Sequence, residues 1–409
     1  MTVSRIGVAG AGTMGSGIAQ LACLARHETF LHDPDPGALR AGEEGLRAGL
    51  LKGAERDRWT PEEAEAASAR LIAAPRLEDL SGCDLVVEAA PESLEVKREL
   101  FGRLAAVCGP EAILATNTSS LSVTAIAAAV ERPERLCGMH FFNPPVLMHL
   151  VEVVTGAETS GEVADEVTAL AERMGRTPVR AADEIGFIAN RCARPYSLEG
   201  LRLLGDRVAT VEQIDSICRL GGGFRMGPFE LTDLVGVDVN FEVAKSFWEQ
   251  SFHEPRWQPS PIQAKMVAAG RLGRKAGRGY YDYSSGPHRP DDPEADPPPP
   301  NVREWRGSVA IDLEPETQVE ALERIVCQLV NEAAFALGRG IGSAEDIDTA
   351  MRLGFNYPRG PLAWGDAIGS EGVLGVLDRL RSQTGEERYR AAPLLRRRAA
   401  EGRPLAVAS

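Results

Sequence analysis

A glycine-rich turn set between a strand pattern and a helix pattern limits what this chain can fold into more than any other feature. Ile6–Ala9 is short and apolar, Gly10-Ala11-Gly12-Thr13-Met14-Gly15 follows at once, and a helical pattern runs from Gly15 to Ala25. The spacing G-x-G-x-x-G in that context gives each glycine a task. Gly10 permits a tight turn, Gly12 lets a ligand approach the backbone, and Gly15 allows the helix to pack closely on the strand. The first N–H groups of the helix lack partners in the chain and sit at its positive end, which suits a pyrophosphate. The glycines also break the apolar stretch Ile6–Ala25 too often for a targeting segment.

The next strand pattern, Thr29–His32, ends at Asp33, 18 residues beyond Gly15. An acid about 20 residues on is expected to accept the ribose hydroxyls of a dinucleotide. A carboxylate there repels a 2′-phosphate, and Pro34 and Asp35 bring no arginine to receive one. The pattern therefore points to NAD rather than NADP.

Up to about residue 183, apolar runs alternate with helical stretches, as in a parallel sheet wound by helices. Strands are expected at Arg5–Ala9, Thr29–His32, Asp84–Ala89, Ile113–Thr116, Leu136–Met139, Val151–Val154 and Pro178–Arg180, with helices such as Leu94–Cys108 and Val163–Met174. Strand signals cease near Gly186. Helices are expected at Phe187–Leu204, Val211–Leu220, Gly227–Leu234 and Val239–Glu249. A Pro-rich acidic stretch then reads as a stiff linker. Beyond it the helical segment returns at a constant offset. Ile214–Asp215 is matched by Ile347–Asp348, Arg219-Leu220-Gly221 by Arg352-Leu353-Gly354, Gly227–Pro228 by Gly360–Pro361, Glu199 by Glu332 and Asp233 by Asp366, each pair 133 residues apart. One shared spacing indicates duplication. The expected fold class is α/β: a Rossmann-type doubly wound sheet (1–183) followed by two repeated all-helical domains (184–285 and 311–409), joined by a linker over 286–310. The two copies are expected to pack face to face, as subunits of a symmetric dimer do.

A net charge of −14 excludes general affinity for nucleic acid or anionic membranes, although local Lys and Arg residues can still bind a phosphorylated substrate. No segment has the uninterrupted apolar length of a membrane span. The seven cysteines form no C-x-x-C pair and suggest no metal site, so buried reduced thiols in a cytoplasmic protein are expected.

His140 follows one strand pattern and Glu152 lies in the next. An imidazole held by a carboxylate has a fixed tautomer and suits proton exchange with an alcohol. The neighbouring residues say more. His140-Phe141-Phe142-Asn143-Pro144 with Leu150-Val151-Glu152-Val153-Val154 resembles the signature of the L-3-hydroxyacyl-CoA dehydrogenase family. So do Asn117-Thr118-Ser119-Ser120, Gly186-Phe187-Ile188-Ala189-Asn190-Arg191 and Gly227-Pro228-Phe229-Glu230. The resemblance runs from residue 3 to about 283 and again over the helical repeat.

The resemblance implies NAD-dependent oxidation of an acyl-CoA thioester at its 3-hydroxyl. His140 would be the general base and Glu152 its orienting partner. Ser119 and Asn190 would bond the substrate's oxygens, and Asn143 would help hold the active-site strand. Besides the glycine loop and Asp33, it implies that Ala90, Glu92, Lys97, Asn117, Ser119, Asn143 and Lys275 lie at the cofactor. Lys52, Arg56 and Arg58 would reach the CoA phosphates, where an ordinary surface helix would look the same. Pro144 and Pro145 are adjacent where the family has a residue between its two prolines. Glu323 stands where the repeat would carry a second Asn190, and the repeat has no dinucleotide domain of its own. It is therefore expected to be structural, leaving the chain a monomer with an internal pseudo-dimer or a homodimer. Two other functions fit parts of the pattern: a dehydrogenase of a free hydroxy or sugar acid, and a non-catalytic NAD-binding protein.

Overall fold

In the computed structural model, which describes residues 3–286, 288, 299, 301–305 and 311–406, the chain divides into Met1–Phe187 and Ile188–Ser409. Unit 1 is built on eight strands: β1 (Arg5–Ala9), β2 (Glu28–His32), β3 (Leu71–Ala74), β4 (Leu85–Glu88), β5 (Ile113–Thr116), β6 (Leu136–Phe141), β7 (Leu150–Thr155) and β8 (Thr177–Ala182). Their helices are α1 (Thr13–Leu24), α2 (Pro36–Ala54), α3 (Pro61–Ser68), α4 (Leu94–Val107), α5 (Val123–Ala127) and α6 (Gly161–Arg173). The sheet order is β3-β2-β1-β4-β5-β6-β7-β8. Connections leave β1 in opposite directions, toward β2 on one side and β4 on the other, so the carboxyl ends of β1 and β4 face the crevice where such sheets bind ligands.

Two expectations for this sheet are corrected. β7 runs antiparallel to β6, and β8 is parallel to β7, so the sheet is not wholly parallel. The segment 142–149 is too short for a crossover, which takes a dozen or more residues, so the chain can only turn back. β6 also extends beyond Met139, which places His140 inside the strand and directly opposite Glu152 in the antiparallel register. Strand β3 and helices α2 and α3 are additions to the expected elements. Leu71-Ile72-Ala73-Ala74 is a four-residue edge strand without a β-branched run.

Unit 2 is helical: α7 (Ala189–Gly205), α8 (Val211–Ser216), α9 (Pro228–Val235), α10 (Val237–Gln250), α11 (Pro261–Ala268), α12 (Pro315–Gly338), α13 (Ala344–Gly354), α14 (Pro361–Ile368), α15 (Ser370–Thr384) and α16 (Pro393–Glu401). The two copies do not stand apart: α7 and α12 pack on each other within one unit. Buried ion pairs knit them together with pseudo-twofold symmetry. Arg191 of the first copy bonds Glu332 of the second at 2.9 Å, and its equivalent Arg324 bonds Glu199, the equivalent of Glu332. The third partners are also equivalent by position, with Arg256 on Glu332 and Tyr389 on Glu199 at 2.8 Å. Arg202 adds a bond to Glu199 at 2.9 Å. Asp215 and Asp348 do the same work in each copy, accepting two backbone N–H groups at the start of α9 and α14.

Most of the expected linker, 286–310, lies outside the described residues. Three of the described residues there are packed. His288 bonds Glu230 at 2.9 Å, Val302 and Trp305 are buried, and the Trp305 ring fills the space a side chain at Gly221 would need. All seven cysteines are free and buried. Among the described residues, no helix is long and apolar enough to cross a membrane.

Candidate active site

The three glycines of the first turn play three different parts. Gly10 has φ +116°, and a Cβ there would meet the Ala89 carbonyl oxygen at 2.5 Å. A Cβ at Gly15 would stand 1.7 Å from the Gly10 oxygen, so no other residue fits. At Gly12 a Cβ would meet no protein atom within 4 Å. No neighbouring protein atom therefore requires Gly12 to be small, and it stands at the N-terminus of α1, where helix N–H groups lack intrahelical partners. The loop, with Thr13 and Met14 opening α1, fits a dinucleotide pyrophosphate. Asp33 supports the loop from the end of β2: one carboxylate oxygen accepts the Ala11 N–H at 2.9 Å and the other the Asp35 N–H at 3.0 Å.

This geometry makes a prediction. Gly12 has φ −68°, which alanine adopts without strain. In Gly12→Ala, thermal stability should be unchanged while NADH affinity falls on the order of tenfold. Parallel melting and NADH titration would check it; an equal loss of stability would mean the glycine serves the fold alone.

Across the β6–β7 ladder, His140 Nδ1 lies 2.7 Å from Glu152 Oε2. Glu152 is fully buried and His140 is 5% exposed. The register brings these residues together because antiparallel partners on one face are neighbours. Glu152 engages Nδ1, so Nε2 is the ring nitrogen not taken up by this pair. Phe142 and Phe187 pack on the imidazole, with centroids at 4.6 and 5.8 Å. Asn117 fixes the next residue of β6, its Oδ1 accepting the Phe141 N–H at 2.8 Å.

A second buried cluster carries the Ser119 loop. Glu88, at the end of β4, accepts bonds from Lys97 (2.5 Å), Thr116 Oγ1 (2.7 Å) and the Ala90 N–H (2.6 Å). Lys97 also lies 3.4 Å from Glu92. Glu92 in turn accepts the Thr118 hydroxyl at 2.7 Å and the N–H groups of Ser119 and Ser120 at 2.9 and 3.1 Å. Partial burial works against ionisation of Glu92, but these donors and Lys97 prevail and hold its carboxyl below its ordinary range. The reading of Lys97 as a solvated surface charge does not match this arrangement. It is 1% exposed and paired with Glu88 and Glu92. Nothing local marks Glu88 as its partner, because that residue sits in an apolar strand run.

The remaining candidates are placed as follows. Ala90 is half-buried beside Glu88, and Asn143 is exposed after β6, preceding a cis peptide bond to Pro144. Lys52 lies in the last turn of α2 and Arg56 just beyond the helix, both exposed. A cleft of about 840 Å³ in unit 1 is walled by Arg26, Arg58, Arg70 and Arg176, and neither Lys52 nor Arg56 lines it. In unit 2, Asn190 is half-buried in the first turn of α7, and Lys275 pairs with Asp238 at 2.7 Å.

Comparison with known proteins follows the same division. The family model for the NAD binding domain of 3-hydroxyacyl-CoA dehydrogenase matches residues 5–184, and that for the C-terminal domain matches both 186–283 and 321–406. The chain is 39% identical to 3-hydroxyadipyl-CoA dehydrogenase of Escherichia coli K12, covering 98% of each chain. It is 41% identical to a probable 3-hydroxybutyryl-CoA dehydrogenase of Bacillus subtilis over 69% of this chain and 98% of that one. A crystal structure of 3-hydroxybutyryl-CoA dehydrogenase from Escherichia coli K12 superposes with a TM-score of 0.90 at 38% identity, covering 98% of this chain and 99% of that one.

Proposed function

Because the chain belongs to the 3-hydroxyacyl-CoA dehydrogenase family, its reaction is the NAD-dependent oxidation of a 3-hydroxyacyl-CoA, and we propose that His140, held by Glu152, is the base that takes the hydroxyl proton. The observation that carries this reading is the buried His140–Glu152 pair at 2.7 Å. Bound NAD supplies the acceptor for the hydride leaving carbon 3. His140 Nε2 receives the proton of the same carbinol, and Glu152 stabilises the resulting imidazolium, so the proton and hydride are both accounted for. Gly10, Ala11, Gly12, Thr13, Met14, Gly15 and Asp33 hold the dinucleotide, with Ala90, Asn117 and Asn143 beside it. Glu92, set by Lys97, holds the Ser119 loop, from which Ser119 bonds a substrate oxygen. Such a preset donor lowers the barrier because it needs no rearrangement as charge develops. The roles of Asn190 toward substrate and Lys275 toward the cofactor rest on their motifs, and those of Lys52 and Arg56 toward CoA phosphates on position and charge.

We place the reaction in the cytoplasm, in keeping with seven buried free thiols, and expect no nucleic-acid partner at a net charge of −14. The helical repeat supplies within one chain the face that a second subunit would otherwise offer, which suits a monomer as well as a pair of chains. The deciding comparison is between (S)-3-hydroxybutyryl-CoA and free 3-hydroxybutyrate with NAD. NADH should form with the thioester and not with the free acid. Equal or better turnover of the free acid would reverse the assignment.

A further inference from the structure

Unit 2 buries a cation that forms no ion pair among the described residues. Arg194 lies on α7, four residues after Asn190, and is 6% exposed. Its Nε and Nη1 are buried without a hydrogen-bond acceptor, and the guanidinium lies over the Phe247 ring at 5.3 Å. Other arginines of the same helix are treated differently. Arg191 has Glu332 at 2.9 Å, and Arg202 has Glu199 at 2.9 Å. Among the described residues, the phenol of Tyr357, contributed by the second helical copy, acts electrostatically on Arg194, and its Oη is also buried without a partner. Tyr357 stands in an aromatic wall with Phe224 at 5.0 Å, edge to face.

A buried guanidinium without a counter-ion is costly, and burial lowers its pKa from 12.5 to about 10. A guanidinium with two unpaired nitrogens and a phenol with an unpaired hydroxyl, all able to donate, are the complement of a carboxylate. Position suggests where that carboxylate comes from. Residues four apart share a helix face, about 6 Å along the axis, and helical side chains lean toward the N-terminus. Arg194 is thus directed toward the turn that carries Asn190. In a six-carbon dicarboxylic tail, the free carboxylate falls a few ångströms beyond the reacting carbon, the same scale as that one turn.

We propose that Arg194, assisted by Tyr357, is a specificity-determining residue that binds the terminal carboxylate of a dicarboxylic 3-hydroxyacyl-CoA. The proposal rests on the dehydrogenase reading and on Asn190 contacting the substrate. The aromatic walls keep water from the charge pair, and a methyl-ended acyl chain leaves the guanidinium unpaired. Selectivity of this kind comes from penalising the wrong substrate as much as from binding the right one.

The test compares kcat/KM for 3-hydroxyadipyl-CoA and 3-hydroxyhexanoyl-CoA, which differ only in the group at the chain end. Affinities for adipyl-CoA and hexanoyl-CoA, measured in the presence of NADH, provide a readout independent of turnover. The wild type should favour the carboxylate-ended thioester. Arg194→Met should lower that preference on the order of a hundredfold, Arg194→Lys should keep part of it, and Tyr357→Phe should reduce it about tenfold. Should Arg194→Met fail to fold, Tyr357→Phe and Arg194→Lys carry the comparison. An unchanged ratio in these variants, or equal losses on both thioesters, would overturn the proposal and leave the dehydrogenase reading standing. A wild type silent on both thioesters would overturn the two together.

Discussion

In a His140→Gln variant, kcat for a 3-hydroxyacyl-CoA falls by roughly 10²–10⁴ while NADH affinity is unchanged. Glutamine keeps an N–H donor for Glu152 but cannot accept the hydroxyl proton. The fold should tolerate the change because the cross-strand register of β6 and β7, not the imidazole, sets the backbone. The loss should appear in kcat and kcat/KM together, since a general base acts in the transition state rather than in binding. Steady-state kinetics beside an NADH titration would check both halves. A variant that raised KM and left kcat intact would mean that His140 only binds.

The largest effect on stability is expected from Glu199→Ala. Glu199 is fully buried and receives Arg202, Arg324 and the Tyr389 hydroxyl. Burial raises the carboxyl's pKa, but Arg202 and Arg324 outweigh it and hold the group below its ordinary range. Removing the carboxylate takes away the ion partner of Arg202 and leaves Arg324 with Asp206 alone, 2.9 Å away, in a buried interface, a change that costs about 3–5 kcal/mol. For a unit of this size that is a fall in melting temperature of roughly 10 °C. In the double variant Glu199→Ala/Arg324→Met part of the loss should return, because one of the two buried cations left around the vacated carboxylate is gone. Melting curves of the single and double variants check this. A single variant that melts with the wild type would show that the interface does not depend on the cluster.

The parts of this fold that can be read along the chain are those whose cause is local. β1, the glycine turn and α1 follow from an apolar run, a fixed glycine spacing and a change of period, and each is found within a few residues of its expected place. The duplication is equally visible, because Asp215 and Asp348 each cap a helix and must keep their spacing to do so. What cannot be read this way depends on partners distant in sequence. The Glu88–Lys97 pair joins a strand end to a helix on the same face, and only the folded sheet shows that Lys97 has no access to solvent. The Arg191–Glu332 and Arg324–Glu199 exchange is intermediate. Its residues obey the same 133-residue offset, so the signal is present, yet only packing of α7 on α12 shows that each arginine reaches the other copy. The direction of β7 was open to inference from the length of 142–149, and it is that reversal which sets Glu152 against His140.

A single-turnover experiment tests the central claim most directly: enzyme loaded with NADH is mixed with acetoacetyl-CoA, and the nicotinamide absorbance is followed. One NADH consumed per ketone, with NADPH inert and His140→Gln binding NADH without oxidising it, is the expected result. NADH that binds normally but is consumed by neither acetoacetyl-CoA nor longer or carboxylate-ended 3-ketoacyl thioesters would contradict it.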